Sequence, residues 1–128
     1  MHTRAVMAVM AVLAVAPVVA QAQNTTDTRL LGQPAVSTSR VAFAYAGDLW
    51  TATIDGTDVR RLTTADGDEI NPSFSPDGSL LCFSANYDGN LDVYVVPSLG
   101  GTPRRLTFHP GADVAQGFTP DGRRVLFV

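Results

Sequence analysis

The chain has 128 residues, of which 45% are hydrophobic and 16% charged, a composition typical of one small globular domain. Its nine basic residues are all arginine, and twelve acidic residues bring the net charge to −3. This charge argues against nucleic-acid binding, because neutralising a phosphate backbone requires a basic face.

Residues 1–22 have the pattern of a secretory signal peptide. A short basic start with Arg4 precedes an apolar run at residues 5–20, and Ala20-Gln21-Ala22 is a small-x-small cleavage site. The alternative is a membrane anchor, but the run is shorter than the roughly 20 residues that a spanning helix needs, and Pro17 interrupts it. We therefore predict an exported protein, with the periplasm as its compartment and no membrane span after cleavage.

The mature chain begins with a polar segment and continues as short strands. Residues 23–39 are rich in threonine, and Gly32 and Pro34 interrupt any periodicity, so we predict a polar leader there. From Arg40 onward, apolar residues alternate in short runs bounded by turn residues, which favours β-strands. The predicted strands cover residues 41–45, 48–53, 59–63, 70–74, 80–83, 92–96, 104–107, 114–118 and 125–128.

Two matching turns show an internal repeat. Ser75-Pro76-Asp77-Gly78 and Thr119-Pro120-Asp121-Gly122 lie 44 residues apart, each between apolar runs, as in a β-hairpin. The same shift of 44 superimposes Arg60-Arg61-Leu62-Thr63 on Arg104-Arg105-Leu106-Thr107. Four short strands in a unit of this length are typical of a β-propeller blade.

We therefore predict an all-β fold, an incomplete β-propeller of about two four-stranded blades at residues 40–84 and 85–128. Propellers close with about 4 to 8 blades, so this ring is not closed, and we interpret the chain as the N-terminal piece of a longer protein. One uncovered blade face predicts low stability for residues 23–128 alone. Aromatic residues at matching positions are predicted to pack between blades: Trp50, Phe74, Phe83, Tyr94, Phe118 and Phe127.

The residue types do not favour catalysis or metal binding, and we predict no catalytic residue, cofactor or metal. After the cleavage site the one histidine is His109, in a turn, and no serine lies in a Gly-x-Ser-x-Gly elbow. Cys82 is the lone cysteine and is predicted to be buried. The acidic loops 66–69 and 88–92 offer oxygen ligands for calcium, but neither matches the EF-hand pattern, so solvated turns are the favoured interpretation.

The paired arginines recur at one blade position, which favours a structural role. In Arg60-Arg61 and in Arg104-Arg105, we expect one arginine to face solvent. The other packs its stem on the sheet edge or pairs with a repeated aspartate.

An ordered series of motifs resembles the propeller repeats of tricorn-type serine peptidases. It comprises Val41-Ala42-Phe43, Gly47–Trp50, Asn71–Gly78, Tyr87–Asn90 and Arg104–Asp113, and covers nearly all of the mature chain. The Ser-Pro-Asp-Gly turn is also shared with TolB propellers. The resemblance implies the propeller portion of an exported serine peptidase, which gates peptide substrates and acts as a scaffold. No catalytic residue of the peptidase domain falls on this chain.

Two other functions stay open. One is a non-enzymatic, TolB-like periplasmic propeller that binds a protein partner, and the other is a propeller attached to a prolyl-oligopeptidase-type hydrolase. The expected partners are thus peptides or a protein, and not nucleic acid. Oligomerisation of the full-length protein is compatible with each hypothesis.

Overall fold

The computed structural model describes residues 31–128, which form ten β-strands in three antiparallel sheets. The predicted signal peptide lies outside the described residues. These residues form no helix, and so they include no helix that is long and apolar enough to cross a membrane. The strands are β1 (Leu31–Val36), β2 (Arg40–Tyr45), β3 (Asp48–Thr53), β4 (Arg60–Arg61), β5 (Glu69–Phe74), β6 (Leu80–Ala85), β7 (Asp92–Pro97), β8 (Arg104–Arg105), β9 (Ala115–Phe118) and β10 (Val125–Phe127).

Two sheets are complete four-stranded meanders and the third has two strands. The strand orders are β1-β2-β3-β4, β5-β6-β7-β8 and β9-β10, and every neighbouring pair is antiparallel. The all-β, incomplete propeller that the sequence predicts is thereby confirmed. The outer strands β4 and β8 hold two residues each and are shorter than predicted.

The sheets begin and end at other residues than the predicted blades, which were placed at residues 40–84 and 85–128. β1 lies within residues 23–39, the predicted leader, and pairs with β2 through Ala35↔Ala42 and Val36↔Val41. The first sheet therefore starts at β1 and the second at β5, at Glu69. Alternation did not indicate β1 because its register shifts between Gly32 and Ala35, where the backbone turns through a left-handed residue.

The two repeated turns close hairpins in the same way. The N–H of Ser75 donates to the Leu80 carbonyl at 2.9 Å, and the N–H of Thr119 donates to the Arg124 carbonyl at the same distance. Gly78 and Gly122 have φ values of 74° and 70°, a conformation that favours glycine. In the first turn, hydrogen bonds from the Ser75 and Ser79 hydroxyls and the Ser79 N–H lower the pKa of Asp77 to about 2.

Apolar residues between the sheets form two clusters. The larger one lies between the first and second sheets and consists of Ala42, Leu49, Leu62, Leu81, Phe83, Ala85, Tyr94 and Val96. The smaller one joins the second sheet to the third through Cys82, Val93 and Ala115. Burial of Cys82 was predicted and is confirmed. Each large apolar side chain buried in this way stabilises the fold by about 1.5–3 kcal/mol.

The predicted aromatic positions differ in their packing. Phe83 and Tyr94 are buried and stack with their ring centroids 5.7 Å apart, and Phe74 and Phe118 are half-buried against the clusters. Trp50 belongs to neither cluster and packs edge-to-face on Tyr45 instead. Phe127 is 50% exposed, because β10 belongs to the two-stranded sheet.

The first strands of the three sheets lie side by side, since β5 contacts both β1 and β9. In each sheet this strand is at one edge, and β4 and β8 form the opposite edge. We refer to β1, β5 and β9 as the inner edge.

Candidate functional site

The inner edge carries a polar cleft of about 360 Å³ that all three sheets share. One strand from each sheet contributes to it. Its lining residues are Gln33, Pro34, Asn71, Pro72, Ser73, Ala115 and Gln116.

Two residues at equivalent places in β1 and β5 shape this cleft. Gln33 and Asn71 each precede a proline and have left-handed φ values of 51° and 54°. The register of the adjacent strand pair shifts at both positions, as in β-bulges. Such an irregularity bends a strand and redirects its side chains, so these two amides face the cleft instead of following the alternation of the strand.

Amide groups connect the three strands across the cleft. The Asn71 N–H donates to Gln33 Oε1, and Asn71 Nδ2 donates to the Ala115 carbonyl at 3.3 Å. The lining side chains are amides, one hydroxyl, two prolines and one alanine, none of which titrates in the physiological range. The cleft can therefore exchange hydrogen bonds with peptide groups, and it supplies no general acid or base.

His109 lies away from this cleft, on an exposed loop. Its Nδ1 accepts the N–H of Gly111 at 3.0 Å. Within residues 31–128 the ring makes no hydrogen bond to a serine or a carboxylate. The His109 ring thus holds its own turn through Gly111.

The two acidic loops do not converge on a cation site. Glu69 turns inward and is buried, and Asp92 faces Arg105, with 2.6 Å between Oδ2 and NH2. No group of three or more histidine, cysteine, aspartate or glutamate side chains in the described range is placed to hold a metal ion. Glu69 and Asp92 thus use their carboxylates in contacts within the protein.

The same corner structure occurs at the end of each complete sheet, where the chain leaves that sheet and continues into the next one. Arg61 NH2 lies 2.7 Å from Asp48 Oδ2, and Arg105 NH2 pairs with Asp92 in the same position. Arg60 and Arg104 are exposed. The second pair divides as predicted, whereas in the first pair Arg61 is as exposed as Arg60, with 46% of each side chain accessible. In both pairs the second arginine binds the outermost strand to a buried aspartate at the start of the strand beside it.

Backbone hydrogen bonds of the corner repeat as well. Thr63 Oγ1 accepts the Leu49 N–H at 2.8 Å, and Thr107 Oγ1 accepts the Val93 N–H at 2.9 Å. These threonines follow the short outer strands β4 and β8. The corner therefore fixes the chain as it leaves each complete sheet.

In the first corner, a buried carboxylate links the two complete sheets. Glu69 Oε2 accepts the Thr63 hydroxyl at 2.8 Å, and Oε1 accepts the Tyr87 hydroxyl at 2.6 Å. Burial raises the pKa of Glu69, and the negative charge of Asp48 raises it further. Burial and the bond to Glu69 also raise the pKa of Tyr87.

Sequence reasoning did not find the inner cleft or the Glu69–Tyr87 contact. Gln33-Pro34 and Asn71-Pro72 are 38 residues apart, whereas the turns and the paired arginines repeat at 44 residues. The repeated amide-proline pair is the signal that could have indicated these two positions, whereas Gln116 in the third strand is followed by glycine. The contact between Glu69 and Tyr87 joins positions 18 residues apart, and no local pattern indicates it.

Comparisons with known proteins agree on the fold. A family profile described as "Tricorn protease N-terminal beta propeller domain" matches residues 28–128. The chain is 41% identical over 66 residues to Tricorn protease homolog 1 of Streptomyces coelicolor, an alignment that covers 51% of this chain and 6% of that protein.

Solved structures give the same result. The structure of putative TolB from Agrobacterium tumefaciens matches with a TM-score of 0.67 and 27% identity, over 77% of this chain and 37% of that one. The crystal structure of the tricorn protease matches with a TM-score of 0.62 and 25% identity, over 73% of this chain and 10% of that one. The chain thus spans well under half the length of each of these proteins.

We predict that Arg105→Ala lowers the free energy of unfolding by about 3 kcal/mol, because it leaves the fully buried Asp92 without its cation. The value is at the low end for breaking a buried pair, since Arg105 is 27% exposed. Urea denaturation measures the change. Arg60→Ala is the matched control: its partner Asp58 is itself exposed, so the loss should be much smaller. Equal losses in the two variants would contradict this role of Asp92.

We also predict a pH dependence that originates at Glu69. Because its pKa is raised above the ordinary value of 4.5, its stabilising contribution is complete below that pH and is lost as the pH rises through the raised pKa. The free energy of unfolding of the wild type, relative to that of Glu69→Gln, should fall as the pH rises from 4.5 to the raised pKa and should then level off. Denaturation between about pH 4 and about pH 8 measures the difference. The lowered pKa of Asp77 acts below this range. A difference that stays constant with pH would show that Glu69 does not titrate in this way.

Proposed function

Since the chain belongs to the family of tricorn protease N-terminal β-propeller domains, we propose that it is the propeller portion of an exported, tricorn-like serine peptidase. Its role there is substrate gating and scaffolding. Catalysis belongs to another region of the complete protein, because the Ser73 hydroxyl in the inner cleft has no acid or base among the lining residues to activate it.

The observation that carries this proposal is the amide-lined cleft at the inner edge. Gln33, Asn71 and Gln116 come from three consecutive sheets and line one cleft. Amide side chains both donate and accept hydrogen bonds, which matches the N–H and C=O groups of an extended peptide. Without charged side chains the cleft would pass peptides irrespective of their charge, as a gate for varied substrates requires.

The sequence supports export to the periplasm. Residues 1–22 have the basic, apolar and small-residue regions of a signal peptide in the correct order. A propeller that acts on peptides outside the cytoplasm would need such a segment.

A second candidate function is that of a TolB-like propeller that binds a protein partner and has no enzymatic activity. The match to the putative TolB structure from Agrobacterium tumefaciens, with its TM-score of 0.67, favours it. The inner edge would then be a docking surface for that partner.

One experiment separates these functions. The coding sequence is read beyond Val128. The complete protein is then expressed with its leader and recovered from the periplasmic fraction. Its activity is assayed on a peptide of about ten residues and on a short chromogenic substrate. We expect serine-dependent cleavage, and we expect Gln116→Trp, which narrows the cleft, to lower kcat/KM several-fold for the long peptide only. Thr102→Trp, at an exposed position outside the cleft, is the matched control.

Other results would contradict the proposal. A protein without a serine-peptidase region that cleaves neither substrate would favour the TolB-like function. An equal loss on both substrates with Gln116→Trp would show that the cleft is not a gate. Retention in the cytoplasm would refute export.

A further inference from the structure

Aspartate precedes glycine at five places in the chain, each in a turn or loop between two strands. An Asp-Gly peptide is chemically labile, because glycine has no side chain to keep its backbone nitrogen away from the aspartate carboxyl group. The surroundings of that nitrogen and of that carboxyl group therefore decide which pairs can react. The five pairs are Asp55-Gly56, Asp66-Gly67, Asp77-Gly78, Asp88-Gly89 and Asp121-Gly122.

Three of these pairs are held by hydrogen bonds at both reacting groups. The backbone N–H groups of Gly56, Gly78 and Gly122 each donate to a backbone carbonyl at 2.8 Å. The three carboxylates each accept at least two hydrogen bonds, which lower their pKa, to about 2 for Asp55 and Asp77. A carboxyl group that stays ionised reacts poorly, because its oxygen does not leave without a proton. The donors are Thr53 and Thr57 for Asp55, Ser75 and Ser79 for Asp77, and Thr119 and Arg123 for Asp121.

The fourth pair, Asp66-Gly67, is fixed by packing. A Cβ at Gly67 would overlap the backbone carbonyl of Asn86, so the two backbones are in direct contact. The Asn86 N–H also donates to the Asp68 carbonyl at 3.4 Å. Close packing of this loop therefore opposes the rotation that would bring the Gly67 nitrogen to the carboxyl group.

The Asp88-Gly89 pair has neither kind of restraint. Within residues 31–128 the Gly89 N–H has no hydrogen-bond partner, and apart from its chain neighbours no residue comes within 4 Å of a Cβ placed at Gly89. The Asp88 side chain is 74% exposed, and its one ionic contact in this range is with Arg105 NH1 at 3.7 Å. Such an exposed contact is weak, so the carboxyl group and the nitrogen of this pair are free to meet.

We propose that Asp88-Gly89 is a site of spontaneous aspartate isomerisation, where the folded protein accumulates isoaspartate. The Gly89 nitrogen attacks Cγ of the Asp88 carboxylic acid, and the new C–N bond closes a five-membered succinimide. The carboxyl OH and the hydrogen of the Gly89 N–H leave as one water.

Water then opens the ring at one of its two carbonyl groups. Cleavage of the bond between the Asp88 α-carbonyl and the nitrogen leaves the main chain running through Cβ and Cγ, which is isoaspartate. Cleavage at Cγ restores aspartate. The mass is unchanged and water is the one reactant, but the main chain is longer by one atom beside Tyr87, whose hydroxyl donates to Glu69.

Ageing of the complete protein that contains residues 1–128 tests the proposal. The protein is incubated at neutral pH and body temperature for several weeks and is then digested. Electron-transfer mass spectrometry, which distinguishes isoaspartate from aspartate, is compared with a sample digested before incubation. We expect several-fold more isoaspartate at Asp88 than at any of the other four positions.

Unfolding and substitution supply the controls. In guanidinium chloride the five pairs should convert at similar rates, because the hydrogen bonds and the packing that protect four of them are lost. Asp88→Glu should remove the signal at this position, because the six-membered ring that glutamate would form closes far more slowly. Asp66→Glu, at another exposed Asp-Gly pair, should leave conversion at Asp88 unchanged.

Two results would overturn the proposal. One is a level of isoaspartate at Asp88 in the folded protein no higher than at the other four positions. The other is the same preference for Asp88 in guanidinium chloride as in the folded protein, since the neighbouring sequence and not the structure would then determine it.

Discussion

The packing of each sheet against the next is the interaction on which this structure depends. β6 shows it most clearly, because every residue from Leu81 to Ala85 is buried. The first sheet covers Leu81 and Phe83, and the third sheet covers Cys82. A strand enclosed on both faces in this way supplies much of the burial that opposes the loss of chain entropy.

β10 has the same place in the repeat and a different environment. Val125, Leu126 and Phe127 correspond to Leu81, Cys82 and Phe83 at the shift of 44 residues, yet Leu126 and Phe127 are exposed. Composition does not explain this contrast, since both strands are apolar. Burial in a repeat protein is set by its neighbours, and each unit is stable only to the extent that the next unit covers it.

The polar corners fix how the sheets meet. Apolar burial alone has little direction, whereas the hydrogen bond from the Thr63 hydroxyl, after β4, to Glu69 in β5 is satisfied at one position only. The Asp92–Arg105 pair acts within the second sheet, where it joins β8 to β7.

Much of the fold was predictable because its determinants are local. The Pro-Asp-Gly turns, the alternating strands and the paired arginines each act within a few residues, and the sequence shows them directly. The extent of each sheet was not predictable in this way. β1 contains a residue with left-handed φ beside a proline, so its pattern resembles a loop, and its pairing with β2 comes from the tertiary structure.

The inner cleft was missed for a related reason. Its side chains lie at β-bulges, where the spacing between repeats differs from the spacing in the outer strands. In addition, Gln33, Asn71 and Gln116 belong to three strands that are distant in sequence and meet only in the folded structure. The family, by contrast, was recognisable from the motifs alone, and the match of the family profile to residues 28–128 confirms it.

Amide hydrogen exchange of the full chain, followed by mass spectrometry, tests the dependence of each sheet on its neighbour most directly. If intersheet burial supplies the stability, the amides of β6 and β7 exchange most slowly, and those of β10 exchange much faster in spite of the same apolar repeat pattern. Equal protection of β6 and β10 would contradict this account, because each sheet would then be stable without a sheet to cover it.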